Sequence, residues 1–471
     1  MYRECLILDE ALQEALSGIQ RCNKRIEEQK NGNFDWTRLC EEILSPDNEL
    51  DVADFLGPIK IALLANRGGG RGIVATRNIV AGELLLVAKP FAVARQRPDE
   101  LNMVIAFNFL TKKVDSSRHL EVIHKCVLKL STGSDDATRD FYDLYAGDDG
   151  QHSPVVPSRT KEPRNLFDRD IDANRIETTC SLNWFGIGAN PLGLAGVRQK
   201  DQGMSDLGCA LYLLPSYLNH ACASNAQRFF FDGIMVIRAS RDIASGTEIT
   251  HSYCSSEDAY QKRKQVLPKW FPECDCSLCT QDRAAGNDRL SKRESLTKRL
   301  DSDDLDINEL FDIIEQLETS YTTTYGSFRP ALSNAHLQVA RAFESSYKYA
   351  QDNRFLQGAI QHYFIALETR EVKIIDHSID GKKSNKKPLP ISKAIVPYNL
   401  NTCSFICLAI FRCFSLLNDT LRAERWLRVG LWIESVTSGG GVRMFKLRHA
   451  TALAQLDEQA SSLLAKVEAS A

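Results

Sequence analysis

The stretch YLNHACASNA, residues 217–226, joins an apolar run to a segment with the pattern of a β-strand. It gathers Asn219, His220, Cys222 and Asn225 over ten residues. A neighbouring Asn and His can be a hydrogen-bonded pair inside a core. The same cluster can also supply directional donors and acceptors to the polar groups of a cofactor. The pattern alone leaves both interpretations open.

Two further β-like segments flank this motif. GGGRGIVATRNIVAGELLL, residues 68–86, has the triplet GRG at 70–72 between two strand-like runs. Its glycines suit a tight turn and also let a ligand approach the backbone closely. It is not a dinucleotide fingerprint, because no helical pattern follows and the third glycine is absent. GTEITHSYC, residues 246–254, places Tyr253 after a glycine turn, which is also the pattern of an ordinary edge strand.

The stretch FPECDCSLC, residues 271–279, packs Cys274, Cys276 and Cys279 into six residues. Closely spaced thiolates repel one another unless a cation binds them, so this spacing favours metal over free thiols. The chain has 14 cysteines and no secretion-signal pattern, which indicates reduced thiols in an intracellular protein. Three thiolates leave a tetrahedral site one ligand short.

Length and composition indicate an ordinary globular chain of two or three domains. The 471 residues are 43% hydrophobic and 25% charged, with a formal net charge of -3. This charge gives no basic excess, so no direct nucleic-acid binding is expected. The longest apolar run, residues 403–417, is short and is split by Arg412, so no membrane span is expected. We expect a monomer in the cytoplasm, the nucleus or both.

Helical patterns flank and interrupt the β-like zone. The segment 1–27 carries apolar residues at the spacing of one helix face, and 36–43 predicts a second short helix. The patterns ELNMVIAFNFL (100–110) and HLEVIHKCVLKL (119–130) predict helices inside the β-rich zone, and the chain is helical again from about 284. This order predicts an α+β protein.

Taken together, GRG, NHAC with a following Asn, EITHSY and CDCSLC, in this order, resemble a SET-domain protein lysine methyltransferase. The split domain with helical flanks resembles the SET and MYND domain (SMYD) family, especially fungal proteins that join SET to tetratricopeptide repeats. The resemblance covers residues 25–280, and the C-terminal helices only loosely. It implies small knotted β-sheets, S-adenosyl-L-methionine on one side and a narrow channel for the target lysine on the other.

The resemblance also implies domain boundaries. These are a helical segment, which would end a tetratricopeptide region, at 1–50; a SET domain at 58–255 with a helical insert at 96–182; a post-SET zinc-binding segment at 256–283; and a helical domain similar to tetratricopeptide repeats at 284–471.

Residue by residue, the resemblance implies a site. Its cofactor-binding positions are Arg71, Gly72, Asn183, Asn219, His220, Tyr253 and Phe271. Its catalytic positions are Tyr253, where cofactor and channel meet, and Phe185, a channel aromatic. One structural Zn²⁺ would be bound by Cys222, Cys274, Cys276 and Cys279. Cys254 is a competing fourth ligand that the spacing leaves open.

Three features depart from the family pattern. Ser224 replaces the usual proline before the second Asn. Pro272 replaces an aromatic that packs on adenine, which leaves Phe271 or Trp270 to take over. No MYND finger is present, because Cys126 is the only cysteine between 96 and 179.

Methyl transfer from a sulfonium to an amine requires positioning and oriented dipoles rather than covalent help. The lysine must first lose its proton, since its reference pKa is about 10.4, and an apolar channel lowers that pKa. The sequence therefore predicts a methyltransferase that acts on an exposed lysine of a histone or another protein. The alternatives are a catalytically weak SET-fold scaffold that binds partners through its helical flanks, and a helical adaptor with a structural zinc.

Overall fold

The computed structural model describes residues 13–43, 50–67, 70–95, 105–147, 171–187, 208–302, 305–379, 389–394, 400–454, 456 and 458–469. The chain divides into two compact units, neither of which is continuous in sequence. The first unit comprises Met1–Arg77, Leu84–Asn219 and Arg228–Ile237, and the second comprises Asn78–Glu83, His220–Gln227 and Arg238–Ala471.

The described strands are short, and most of them lie where the β-like patterns predict them; the additions are the strands at 55–56 and 184–187 and two strands in the insert. The described strands are β1 (Phe55–Leu56), β2 (Ile59–Leu63), β3 (Arg71–Ala75), β4 (Leu84–Ala88), β5 (Ala92–Ala94), β6 (Ile105–Asn108), β7 (Lys113–Ser116), β8 (Trp184–Ile187), β9 (Gly208–Leu211), β10 (Asn219–His220), β11 (Ala226–Phe231), β12 (Ile234–Ala239) and β13 (Glu248–His251).

Within the first unit the strand pairs are antiparallel. β1 pairs with β4, and β2 pairs with β3 so that Ile59 lies opposite Ala75 and Leu63 opposite Arg71. A three-stranded sheet has the order β5-β9-β8. β3 and β4 are buried along nearly their whole length. Their continuous apolar runs suit strands that are covered on both faces.

The helical prediction for residues 100–110 is wrong in its described part, since β6 and β7 form a hairpin with Phe107 opposite Val114. The side chain of Asn108 accepts the backbone N–H of Leu110, and Lys112 adopts a positive φ of 58°. A local Asn bond and a left-handed residue build a turn that competes with the helix. Residues 100–104 of that pattern lie outside the described residues.

The first unit also contains helices α1 (Gln13–Asn31), α2 (Trp36–Glu42), α3 (Ser117–Thr132), α4 (Asp135–Tyr142) and α5 (Ala173–Asn183). Four of them begin after a side-chain cap, in which Asp35, Ser116, Ser134 and Asp172 each accept a backbone N–H of the first turn. The apolar faces of α3 and α5 share one core with β5 and β9.

The second unit is mainly helical. Its helices are α6 (Tyr260–Val266), α7 (Ser277–Ala285), α8 (Asn287–Arg299), α9 (Ile307–Ser320), α10 (Pro330–Ala350), α11 (Asn353–Glu368), α12 (Leu400–Leu416), α13 (Thr420–Thr437), α14 (Gly441–Arg448), α15 (Ala450–Leu453) and α16 (Glu458–Glu468). The predicted α+β class with helical flanks is therefore confirmed, while their likeness to tetratricopeptide repeats stays a prediction.

The apolar run at 403–417 is a core helix. It forms most of α12, whose Phe411 and Phe414 are fully buried in the same core as Trp426 of α13. Arg412, which interrupts the run, pairs with Glu344 of α10. Among the described helices, none combines the length and the apolar character that crossing a bilayer requires.

Candidate functional site

In the first unit, the side chain of Arg71 is held in place at the start of β3. Its guanidinium bonds both the carboxylate and the backbone carbonyl of Asp143, just beyond α4. It also lies over the ring of Tyr217, 5.1 Å from the centroid, and the Tyr217 hydroxyl donates to Asp143 Oδ2 at 2.6 Å. With the side chain occupied in this way, the contribution of Arg71 to a ligand would come from its backbone.

That backbone is fixed in turn by Asn219. The Nδ2 atom of Asn219 donates to the carbonyl oxygen of Arg71 at 3.0 Å. Gly72 follows as a buried residue opposite Ala62 of β2. The structure thus brings together three of the predicted cofactor positions, namely the GRG backbone and the Asn of the Asn-His pair.

Asn183 and Phe185 lie at the junction of α5 and β8. Both donors of the Asn183 amide are used, one by the carbonyl of Tyr145 at 2.7 Å and one by that of Thr179 at 2.8 Å. The ring of Phe185 meets the ring of Tyr212 edge-on at 5.6 Å. Burial raises the pKa of Tyr212, so the phenol that faces Phe185 stays uncharged at neutral pH.

In the second unit, aromatic rings surround Tyr253. His220 lies 5.1 Å from it and Trp270 lies 4.8 Å from it, measured between ring centroids. Phe271 stacks on His220 at 5.6 Å with an interplanar angle of 26°. The two aromatics proposed to replace Pro272 therefore take different neighbours, Trp270 beside Tyr253 and Phe271 beside His220.

The four cysteines predicted to bind zinc lie together in the second unit. The sulfur atoms of Cys222, Cys274, Cys276 and Cys279 are all within 4.8 Å of one another. Cys276 immediately precedes α7 and Cys279 lies in its first turn, where the helix N-terminus favours a thiolate. The competing thiol of Cys254 falls into a different group, with His220 and Cys222.

The electrostatics of this cluster favour a bound cation. Hydrogen bonds with Cys254 and with the other three cysteines raise the pKa of Cys222, whereas the bond with Cys222 lowers that of Cys274. Four thiolates would carry four negative charges into a buried site, a cost that only a bound cation offsets.

A buried trio of charged side chains reaches the cluster through Arg263, whose charge interacts with the Cys222 and Cys279 thiols. Arg263 and Arg293 both bond the carboxylate of Asp282, which leaves one positive charge uncompensated within this trio. Burial lowers the pKa of Arg263, but Asp282 together with the nearby Cys222 and Cys279 thiols raises it overall. This excess charge suits a neighbour with net negative charge, such as a divalent ion held by four thiolates.

The donor set fits Zn²⁺ on distance as well as charge. Tetrahedral zinc with Zn–S bonds of about 2.3 Å holds its sulfur atoms about 3.8 Å apart. The mutual limit of 4.8 Å and the Cys222–Cys279 separation of 3.5 Å are compatible with that spacing.

Sequence reasoning missed the residues that hold the site residues in place. Tyr217 opens the quoted motif YLNHACASNA, so its position was a usable signal. Asp143 follows a polar helix, and Arg263 lies in a charged segment that reads as solvated surface. The sequence around Asp143, Arg263 and Asp282 contains no pattern that predicts a role in the site.

Comparison with known proteins identifies a family for part of the chain. Residues 70–254 match the family model of the SET domain. A Gibberella zeae protein named "Methyltransferase" is 26% identical over 297 residues, which are 61% of this chain and 39% of that protein. The human "Histone-lysine N-methyltransferase SMYD3" is 36% identical over 109 residues, 23% of this chain and 25% of the relative.

A Candida albicans protein named "Histone-lysine N-methyltransferase SET5" is 34% identical over 84 residues, 17% of this chain and 18% of the relative. The chain thus spans about two fifths of the length of the Gibberella protein and about a quarter or less of the other two.

Proposed function

Because residues 70–254 of this chain are a SET domain similar to those of SMYD-like lysine methyltransferases, we propose that the protein methylates a lysine side chain of another protein. S-adenosyl-L-methionine, the cofactor that such domains use, would supply the methyl group as a sulfonium. The observation that carries this proposal is the SET match itself, which includes every predicted cofactor position except Phe271.

On the side of the cofactor, the chain would act mainly through its backbone. The Asn219 bond to the Arg71 carbonyl supports a fixed conformation of the 71–72 backbone. The ion pair with Asp143 occupies the Arg71 guanidinium. A backbone that is already fixed loses less entropy when a ligand binds to it. Asn183, His220 and Phe271 complete the proposed set of contacts.

Towards the lysine, Tyr253 and Phe185 each offer an aromatic surface. An apolar aromatic wall disfavours the ammonium form and so lowers the pKa of an incoming lysine. The phenol of Tyr253 would orient the amine through its oxygen, which contributes alignment rather than proton abstraction.

We further propose one structural Zn²⁺, held by Cys222, Cys274, Cys276 and Cys279. When bound, it would join the loop that follows His220 to the segment that carries Phe271. The mutual distances of the four sulfur atoms and the excess positive charge near Asp282 support this assignment.

The substrate is proposed as a class only, namely a protein with an accessible lysine. Two relatives carry names that specify histone lysine, which makes histones the first proteins to test. A monomer located in the cytoplasm, the nucleus or both remains our expectation. No observation on the described residues favours the scaffold alternative.

The test has two arms. S-adenosyl-L-methionine at saturating concentration should raise the unfolding midpoint of the whole chain, since a ligand that binds only the native state stabilises it. With methyl-labelled cofactor, purified histones and a whole lysate should then show labelled lysine by mass spectrometry. No rise in the midpoint and no labelled lysine would overturn the proposed function.

A further inference from the structure

The imidazole of His220 is almost completely enclosed in the second unit, with 2% of the residue exposed. A neutral imidazole has one nitrogen that donates and one that accepts, so a single well-defined partner fixes the tautomer. At His220 each ring nitrogen has a partner. One partner belongs to Tyr253, the proposed catalytic residue, and the other to Cys222, a proposed zinc ligand.

The first partner is the backbone of Tyr253. Its N–H donates to Nδ1 of His220 at 2.9 Å. Because a backbone amide can only donate, Nδ1 must be the unprotonated nitrogen. The ring proton therefore sits on Nε2.

The second partner is the sulfur of Cys222, which lies 3.1 Å from Nε2. With the proton on Nε2, the bond runs from N–H to sulfur. An N–H aimed at a metal-bound thiolate withdraws charge from the sulfur and fixes its direction. Partners of this kind tune metal affinity.

We propose that His220 is a positioning residue that couples the zinc thiolates to the backbone of Tyr253. This inference rests on the proposed function. The metal cluster orients Cys222, Cys222 orients the imidazole, and the imidazole holds the amide of the residue whose phenol aligns the amine. Loss of zinc then displaces Tyr253 directly, in addition to any effect on the cofactor.

Two substitutions separate the two bonds. His220→Asn places an amide oxygen near the position of Nδ1, so it keeps an acceptor for the Tyr253 N–H and loses the donor to Cys222. His220→Gln places an amide nitrogen near the position of Nε2, so it keeps the donor to sulfur and loses the acceptor for Tyr253.

The readouts on the whole chain are independent of methyl transfer. In His220→Asn we expect a shifted thiolate-to-cobalt absorption band in the cobalt-loaded protein and faster release of zinc to a chelator, with slow exchange of the Tyr253 amide hydrogen retained. In His220→Gln we expect an unchanged cobalt band and faster exchange of that amide. Turnover of His220→Gln should fall about tenfold, as expected when a reacting group is slightly misplaced.

His251→Gln is the matched control, because the His251 ring lies 5.0 Å from the Tyr253 ring. It should leave the cobalt band and the Tyr253 amide exchange as in the wild type. This result separates loss of the hydrogen bonds from loss of ring packing.

A measurement on the unsubstituted chain covers the case in which a variant does not fold. With nitrogen-labelled histidine and a spin-active cadmium isotope in place of zinc, the Nε2 proton of His220 should show a coupling to the metal through the sulfur. Absence of that coupling would overturn the proposal, as would equal effects of the Asn and Gln variants on both readouts. Failure of methyl transfer in the wild type, with the coupling present, would instead overturn the proposed function alone.

Discussion

The side-chain amide of Asn219 donates to the backbone carbonyl of Arg71 at 3.0 Å, across 148 residues of sequence. This bond connects the Asn-His motif to the first residue of β3 without involving the guanidinium of Arg71. The amide therefore supports the shape of the 71–72 backbone.

For Asn219→Ala we expect cofactor affinity to fall by about tenfold, since one removed hydrogen bond is worth about 1 kcal/mol and a fixed backbone contact is loosened. Calorimetric titration with S-adenosyl-L-methionine measures this. Asn31→Ala, which removes an exposed amide bonded to Glu27, is the control and should bind the cofactor like the wild type. Equal affinity in both variants would contradict the role given to Asn219.

Tyr253→Phe tests the phenol. Removal of one hydroxyl should leave folding and cofactor affinity nearly intact, while turnover falls about a hundredfold, in the range for loss of a preorganised polar group. Tyr349→Phe, at a residue that is 89% exposed, should leave turnover unchanged. Wild-type turnover in Tyr253→Phe would remove this residue from the mechanism.

Cys222→Ser tests the fourth ligand. A serine hydroxyl does not readily lose its proton at neutral pH, so the variant should lose zinc and, with it, cofactor affinity. Elemental analysis gives zinc per chain and calorimetry gives affinity. Cys209→Ser, at a buried cysteine outside the cluster, should change neither. Zinc retained in Cys222→Ser but lost in Cys254→Ser would assign the fourth position to Cys254.

The second unit should lose stability in mild acid through His336. Burial, and to a smaller extent His362, lowers the pKa of His336 to about 4. Between that value and the ordinary value of about 6.5 the unfolded chain binds a proton that the folded chain does not, so the free energy of unfolding falls as the pH falls.

The loss over that interval should reach up to about 3 kcal/mol. Denaturant unfolding from pH 7 to pH 4 measures it, within the range where the protein still folds. His336→Gln should flatten the dependence, whereas His377→Gln, at a more exposed residue paired with Glu368, should not. An equally steep curve in His336→Gln would assign the acid sensitivity to other groups.

Gly82→Ala tests a close approach in the second unit. Gly82 has a φ of 86°, and a Cβ atom there would lie 2.6 Å from Cγ1 of Val436. We expect destabilisation of more than about 1 kcal/mol, from backbone strain and overpacking together. Gly246→Ala shares the positive φ of 80° but meets nothing within 4 Å, so it isolates the strain. Equal losses in thermal unfolding would show that Val436 relaxes freely.

Local patterns were sufficient to predict the β-rich zone and the cysteine cluster. Strand runs such as 84–88 and 234–239 and the spacing of Cys274, Cys276 and Cys279 are short-range signals, and the structure places all of them as the patterns indicate. The hairpin at 105–116 lies where the sequence predicts a helix, because its apolar residues also fit a helical period. Only the turn chemistry of Asn108 and Lys112 distinguishes the two structures.

Residues whose role depends on a distant partner were beyond the reach of sequence patterns. Asp143 holds Arg71 across 72 residues, and Asp282 is bonded by Arg263 and Arg293 from two different helices. A single charged residue in a polar segment is most often solvated. Only the tertiary structure reveals that these particular charges are paired.

The contact of Gly82 with Val436 also constrains the order of events on the ribosome. The segment Asn78–Glu83 belongs to the second unit, yet it is synthesised about 350 residues before Val436. At about 5–20 residues per second, roughly 20 to 70 seconds separate the two. During that interval the early segment lacks its helical partner, so we expect the second unit to fold only after Val436 has left the ribosome, and nascent chains halted before Val436 to remain open to proteases.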